Sequence, residues 1–217
     1  MSGKEMDLLR ARSRDFGIEL TPDQLDLFQI YLDELWDWNQ RVNLIGLSRM
    51  EDVINELLLD SLLPLPWLPE EGTLLDVGSG AGLPGIPLKI CSPRLQTDLL
   101  EPHSKKVSFL KHVSRLLNLK DLRVIRGRMG HKTPPPIRPH YDIVTARAVA
   151  DLGRVIGLCA HRITRAGGLV GFLGAAGEKD LEVCRGVMEE YGLKIAKKRT
   201  YRLPGKRKRM VVFLKKR

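Results

Sequence analysis

The chain has 217 residues, 43% of them hydrophobic, and a formal net charge of +10, enough for one α/β domain with a real core plus an appendage. No apolar run approaches the ~20 residues of a membrane span, and residues 1–16 lack the apolar core of a signal peptide. Cys91, Cys159 and Cys184 show no metal or disulfide spacing, which sets aside membrane, disulfide-scaffold and zinc-site classes and makes the cytoplasm the expected compartment.

Residues 5–16 have the spacing of a short amphipathic helix. Thr21-Pro22-Asp23-Gln24 opens a second one, with a hydroxyl cap, a proline in the first turn and a glutamine three residues after the cap. Leu25, Phe28, Tyr31, Leu32, Leu35 and Trp36 then recur at helical intervals. A third helix is expected at Arg49–Leu59. Pro64, Pro66 and Pro69 end helix formation and stiffen the joint. The chain therefore reads as an N-terminal helical cap, residues 1–69, and a second domain, residues 70–217.

Beyond residue 72 strand and helix patterns alternate. Strands are expected at Thr73–Val77, Gln96–Leu100, Leu122–Arg126, Tyr141–Thr145, Leu169–Leu173, Leu193–Tyr201 and Arg209–Lys215. Helices are expected at Leu83–Ile90, Ser104–Leu117, Leu152–Ile163 and Glu178–Tyr191. Such alternation gives an α/β fold with a mainly parallel sheet covered on both faces. The last link, Arg202–Lys208 with Pro204-Gly205, is too short for a parallel crossover, so the last two strands should pair antiparallel. Thr133-Pro134-Pro135-Pro136 marks a surface loop.

Charge is segregated along the chain. Residues 1–101 are net −10, residues 102–138 net +9, residues 139–193 net −1 and residues 194–217 net +12. Two cationic blocks on an otherwise acidic chain suggest a phosphate-docking surface; a solvated face or a basic tail is the alternative. Met210-Val211-Val212-Phe213-Leu214 argues against a disordered tail, because it reads as a buried strand.

The run Leu74 to Ile90, LLDVGSGAGLPGIPLKI, carries the most chemistry. A strand ends in Asp76, glycines follow at 78, 80, 82 and 85, and a helix opens near Leu83. Gly80 to Gly85 formally satisfies G-x-G-x-x-G, a weak signal alone. A dinucleotide would place a diphosphate at this turn, where Asp76 would repel it. A sulfonium and an ammonium group would instead favour the carboxylate. In open α/β sheets ligands sit outside the carboxyl ends of the strands. That rule selects Asp76 and Gly78, then Glu101 for a ribose diol, the flexible Gly127-Arg128-Met129-Gly130 for an adenine edge, and Thr145-Ala146-Arg147-Ala148 at the end of the fourth strand. Each has a duller alternative: Asp76 capping the next turn, Glu101 starting the next helix, Arg147 pairing with an acid such as Asp151. His103, His112, His131, His140 and His161 form no ligand set, and no metal is expected.

These motifs resemble the class I S-adenosylmethionine-dependent methyltransferases and, within them, the RsmG (GidB) family of bacterial 16S rRNA guanine-N7 methyltransferases. The match is carried by DVGSGAGLPGIPL at Asp76–Leu88, with WNQRVNLIGL at Trp38–Leu47, LDSL at Leu59–Leu62, SKKVSFLKHV at Ser104–Val113 and YDIVTARAVADL at Tyr141–Leu152. It implies a Rossmann-like sheet of about seven strands with the last antiparallel, a helical cap, and S-adenosyl-L-methionine as cofactor with S-adenosyl-L-homocysteine as product. It implies 16S rRNA or a small-subunit precursor as partner; for a protein that docks on RNA a monomer is the simpler expectation. Asp76, Gly78, Gly80, Leu83, Glu101, Met129, Gly130 and Arg147 would bind the cofactor, with Arg147 beside the target base in a positioning role. Asn39 and Asn43 would belong to the helical cap facing the site. Independently of the resemblance, Lys206, Arg207, Lys208 and Arg209 of the second cationic block would hold RNA phosphates.

Two departures stand out. Glu56 and Leu57 occupy places where the family usually has a basic residue and a histidine. A lysine after the fifth strand is replaced near Ala175-Ala176, and the Lys206–Arg209 cluster is the candidate compensation. Guanine N7 carries a lone pair and no proton, so no general base is expected. No Pro-Cys or Thr-Cys nucleophile of a cytosine-C5 enzyme occurs either. The rivals are an NAD(P)-dependent oxidoreductase on the same sheet, and a non-catalytic RNA-binding or assembly protein with a relic pocket.

Overall fold

The computed structural model describes residues 3–131, 135–147, 151–203 and 208–217. Helix α1 (Gly3–Asp15) leads into α2 (Pro22–Val42). Thr21 Oγ1 accepts from Gln24 N at 3.2 Å and Gln24 Oε1 accepts from Thr21 N at 3.0 Å, the reciprocal cap that the sequence announces. Asn43, with φ 52°, closes α2 in the left-handed conformation. A third helical run contains α3 (Met50–Val53), a π-helical turn (Ile54–Leu58) and α4 (Leu59–Leu62). The expected plain helix is thus interrupted. Leu59 N donates to the Ile54 carbonyl, five residues back instead of four. Such turns occur mostly as single insertions at functional sites.

The strands are β1 (Gly72–Val77), β2 (Leu95–Glu101), β3 (Leu122–Arg126), β4 (Tyr141–Ala146), β5 (Ile163–Leu173), β6 (Leu193–Arg202) and β7 (Lys208–Lys216). They form one sheet in the order β3-β2-β1-β4-β5-β7-β6. Strands β1 to β5 pair parallel, and β7 runs antiparallel to both of its neighbours. The expected fold class and the antiparallel final pair are both present.

Alternating side chains feed two apolar layers. Leu74, Leu99 and Val211 face α1–α4, α5 (Gly85–Cys91) and α6 (Ser104–Leu116), where Phe28, Leu32, Leu59 and Phe109 pack. Their chain neighbours Leu75, Leu100 and Val212 face the opposite layer with Val155, Ile156, Leu181 and Met188. This is the period-2 geometry of a strand buried on both sides. The cap-side layer runs unbroken from the N-terminal helices onto the sheet.

Two boundaries differ from expectation. The helix predicted at Leu152–Ile163 stops as α7 (Leu152–Cys159), followed by a 3₁₀ turn, and β5 begins at Ile163. The polar stretch Thr164–Gly168 reads as loop, yet the Tyr141↔Ile163 pairing draws it into the sheet, with a register shift after Tyr141. The helix predicted at Glu178–Tyr191 is two, α8 (Gly177–Val183) and α9 (Arg185–Glu190), separated at Cys184. Leu181, Cys184 and Met188 still share one buried face, which is why the spacing reads as a single helix.

Asp98 lies wholly buried in β2. Arg123 holds it with two bonds, Nε to Oδ1 at 2.7 Å and Nη2 to Oδ2 at 2.5 Å, and Tyr141 Oη donates to Oδ2 at 2.5 Å. A carboxylate taken out of water requires partners of this kind. Tyr141 Oη also accepts from Arg138 N at 2.9 Å, so the loop entering β4 is tied to the same acid. Burial and the neighbouring Asp98 push the Tyr141 hydroxyl above the usual phenol range. Tyr141→Phe is expected to lower the unfolding free energy by about 1–3 kcal/mol in urea denaturation. A loss below about 0.5 kcal/mol would show that the hydroxyl contributes little.

Candidate active site

The carboxyl ends of β1 and β4 lie side by side where the strand order reverses, the place where open α/β sheets take ligands. From Asp76 the chain turns through Gly78–Pro84 into α5. Gly78 N and Ser79 N both donate to the Leu100 carbonyl, at 2.8 and 3.1 Å. Gly80 N donates to Glu101 Oε2 at 2.9 Å. Gly82 N and Leu83 N donate to the Ser79 carbonyl at 2.7 and 3.1 Å, and Gly85 N donates to Asp76 Oδ2 at 3.2 Å. These amides are engaged within the protein. A diphosphate needs free backbone donors at such a turn, and this loop withholds them. The helical cap adds one more tie, because Tyr31 Oη donates to the Ala81 carbonyl at 2.8 Å.

Asp76 is buried beneath the loop. Its Oδ1 accepts from Thr145 Oγ1 of β4 at 2.8 Å. Burial raises its pKa from 3.8 to about 6, against the opposing pull of these hydrogen bonds and the Arg147 charge. The first residue of α5 must approach this carboxylate closely. A Cβ on Gly85 would lie 2.8 Å from Asp76 Oδ2 and 2.3 Å from Leu99 Cδ2.

Glu101 is also buried, at the end of β2, and its Oε1 accepts from His103 N at 2.8 Å. Beside it lies a cleft of about 230 Å³, lined by Val77, Gly78, Leu100, Met129, Val155 and Leu158 among others. Gly130 follows with φ 72°. Leu83 is buried in the cap-side layer and does not line this cleft.

A larger cavity of about 760 Å³ lies on the β4, β5 and β7 side of the seam. Glu56, Leu57, Asp60, Arg147, Phe172 and Arg209 are among its lining residues. Arg147 points into the cap. Its Nη1 donates to the Leu57 carbonyl at 2.9 Å and to Ser61 Oγ at 3.1 Å. Its Nη2 donates to the Glu56 carbonyl at 2.9 Å and pairs with Asp60 Oδ2 at 3.1 Å. The acid is Asp60, not Asp151, which instead caps α7. The duller alternatives for Asp76, Glu101 and Arg147 therefore each name a kind of bond that the protein makes.

The departures noted in the sequence gather here. Glu56, Leu57 and Ala175 line this one cavity together with Lys208 and Arg209. Arg209 Nη2 approaches Glu56 Oε2 at 3.3 Å, so the acid at position 56 faces a cation from β7. Ala176 caps the start of α8. Lys206 and Arg207 lie outside the described residues. Asn39 and Asn43 line neither cavity. Asn39 Oδ1 accepts from Ile45 N at 2.9 Å, and Asn43 ends α2; both shape the turn after that helix.

Asp60, Tyr201 and Phe172 were not singled out by sequence reasoning. For Asp60 a signal existed. Asp60-Ser61 interrupts the apolar run Leu57–Leu63, and a charge in such a run needs a partner.

Strand order, antiparallel β7 and the placement of these cavities define a class I methyltransferase fold. A methyltransferase from Pyrococcus furiosus superposes with a TM-score of 0.61 at 11% identity, over 87% of this chain and 98% of its own. TYW2 of M. jannaschii, solved in complex with AdoMet, gives 0.60 at 15% identity, over 80% and 79%. Sequence similarity is narrower in what it selects. The model of the GidB family, rRNA small subunit methyltransferase G, matches residues 24–208. Proteins named ribosomal RNA small subunit methyltransferase G from Syntrophus aciditrophicus and Chloroflexus aggregans are 36% and 37% identical to it. They cover 91% and 100% of this chain and 83% and 92% of their own lengths. The chain belongs to the GidB family.

Gly85→Ala is expected to cost about 1–3 kcal/mol of stability, because the new methyl group crowds Leu99 and the Asp76 carboxylate. Thermal or urea unfolding checks it. An unchanged midpoint would mean that the loop and β2 yield without loss.

Proposed function

We propose that the protein transfers a methyl group from S-adenosyl-L-methionine to N7 of a guanine in 16S rRNA, releasing S-adenosyl-L-homocysteine. The observation that carries the reading is the loop after β1. The amides of Gly78, Ser79, Gly80, Gly82, Leu83 and Gly85 are bonded internally and a buried acid lies under the loop, so it disfavours a phosphate and favours a cation. Family membership supports the same activity, and the solved neighbours described above are methyltransferases, not oxidoreductases.

The residues present fit this cofactor. Val77, Leu100, Met129 and Leu158 offer apolar surface to a flat adenine in the smaller cleft. Glu101 stands at the rim with carboxylate lone pairs for ribose hydroxyls, already oriented by Gly80 N and His103 N. Asp76 acts on a cationic ligand through space from below the loop. When bound, the cofactor supplies an electrophilic methyl group on a sulfonium. The protein then needs to align a base with it and exclude water.

The larger cavity is the place for that base. Phe172 offers a ring face, and Arg147 and Arg209 set a cationic wall. The acids there, Glu56 and Asp60, are paired with arginine. No general base is needed, because N7 reacts through a lone pair. Orientation alone can contribute up to about 7–11 kcal/mol of barrier lowering. A guanine inside a helix cannot reach such a cavity, so the target is an unstacked base. Lys208 and Arg209, with Lys206 and Arg207 beside them in sequence, would hold flanking phosphates. A ribosomal substrate would be met in the cytoplasm, where the enzyme would dock as a monomer.

Incubation with S-adenosyl-L-methionine and small subunits lacking the modification is expected to yield 7-methylguanosine in 16S rRNA, read by nucleoside mass spectrometry. Cofactor binding without any transfer to rRNA would favour the binding-protein reading, and tight NADH binding would favour the oxidoreductase.

Asp76 gives the reaction's first step a pH signature. A cationic ligand favours the charged carboxylate and so lowers its raised pKa. Cofactor affinity should therefore increase as pH rises toward about 6 and level off above it. Calorimetry across this range should show the slope in the wild type and a flat profile in Asp76→Asn. In the ligand-free protein the sign reverses. The native state then holds the proton more tightly, and the stability it contributes is full below pH 3.8 and lost as pH rises through about 6.

A further inference from the structure

Two arginines from distant parts of the chain converge on one carboxylate in the wall of the larger cavity. Asp60 Oδ2 lies 3.1 Å from Arg147 Nη2 and 3.4 Å from Arg209 Nη1. Its Oδ1 accepts from Tyr201 Oη of β6. The Asp60 side chain is 2% exposed. Burial and the Asp60 charge keep the Tyr201 hydroxyl above the usual phenol range, so it remains a donor.

The π turn completes this arrangement. Its Glu56 carbonyl accepts from Arg147 Nη2 at 2.9 Å and from Arg209 Nη1 at 3.1 Å. Its Leu57 carbonyl accepts from Arg147 Nη1. With Ser61 Oγ and Asp60 included, both terminal nitrogens of Arg147 are directed at the cap. What remains for the cavity is the guanidinium face, with the Phe172 ring centre 6.0 Å away. Arg147 is thus a fixed cationic wall and not a fork reaching for a ligand.

We propose that Asp60 is a positioning residue for methyl transfer: it holds Arg147 and Arg209 together so that the target base meets a wall already set. This rests on reading the larger cavity as the base site. Two guanidinium groups in one partly buried wall repel unless an anion lies between them. Without Asp60 they would separate, and a displacement of about 1 Å at a reacting centre costs about 100-fold in rate. Asp60 reaches neither the smaller cleft nor Glu101, so cofactor affinity is not expected to follow it.

The test compares wild type, Asp60→Asn and Tyr201→Phe in single-turnover methylation of small subunits at saturating S-adenosyl-L-methionine. Cofactor Kd and thermal midpoint are measured on the same preparations, with assays run well below the midpoint. Asp60→Asn keeps the side-chain shape and removes the charge. Its transfer rate should fall about 100-fold with cofactor Kd changed by less than about twofold. Tyr201→Phe removes one supporting hydrogen bond and should slow transfer about fivefold. A wild-type rate in Asp60→Asn overturns the inference. So does a loss of cofactor affinity equal to the loss of rate, because Asp60 would then support the whole site. If Asp60→Asn does not fold, Tyr201→Phe and Arg209→Gln decide, and wild-type rates in both overturn it. A wild type that binds the cofactor and methylates no rRNA overturns the parent reading instead, and is seen before any variant is made.

Discussion

Asp76 takes an N–H from the start of α5 and a hydroxyl from β4 while standing on β1. One buried carboxylate therefore joins the two strands that flank the topological switch and the helix that leaves it. Without these bonds the turn would lose its ties to β4 and α5. With them, the amides of Gly80, Gly82, Leu83 and Gly85 are bonded within the protein.

The same device recurs along the carboxyl edge of the sheet and within it. Glu101 anchors the loop at Gly80 and the entry to α6 at His103. Asp98 ties β2 to Arg123 and Tyr141. Asp60 ties the cap to β4 and to the β6–β7 hairpin. A buried acid forms no useful contact until it finds donors, and leaving it without them is costly. Each therefore selects one arrangement of several elements over its alternatives.

Function and packing are hard to separate here for the same reason. Arg147 was selected by its position after the fourth strand, and it does line a cavity. Its bonds, however, go to the helical cap. The cap and sheet share a continuous apolar layer, and the arginine pairs extend that contact to the ligand edge. A sequence change in the cap, such as Glu56 or Leu57, is consequently also a change in the wall of the larger cavity.

The sequence by itself determined the strand-helix alternation, the capping box at Thr21, the glycine turn after Asp76 and the antiparallel final pair. These depend on periodicity, capping chemistry and loop length, all of which act over a few residues. It also marked Asp76, Glu101 and Arg147, because strand ends are readable. Only the tertiary structure decided which acid meets Arg147, that positions 56, 57 and 175 share one cavity, and that Ile54–Leu58 winds as a π turn. Asp60 lies 87 residues from Arg147 and about 150 from Arg209 in the chain. No local pattern encodes a partner at that distance. It is chosen when the sheet closes and the buried charge takes the donors within reach.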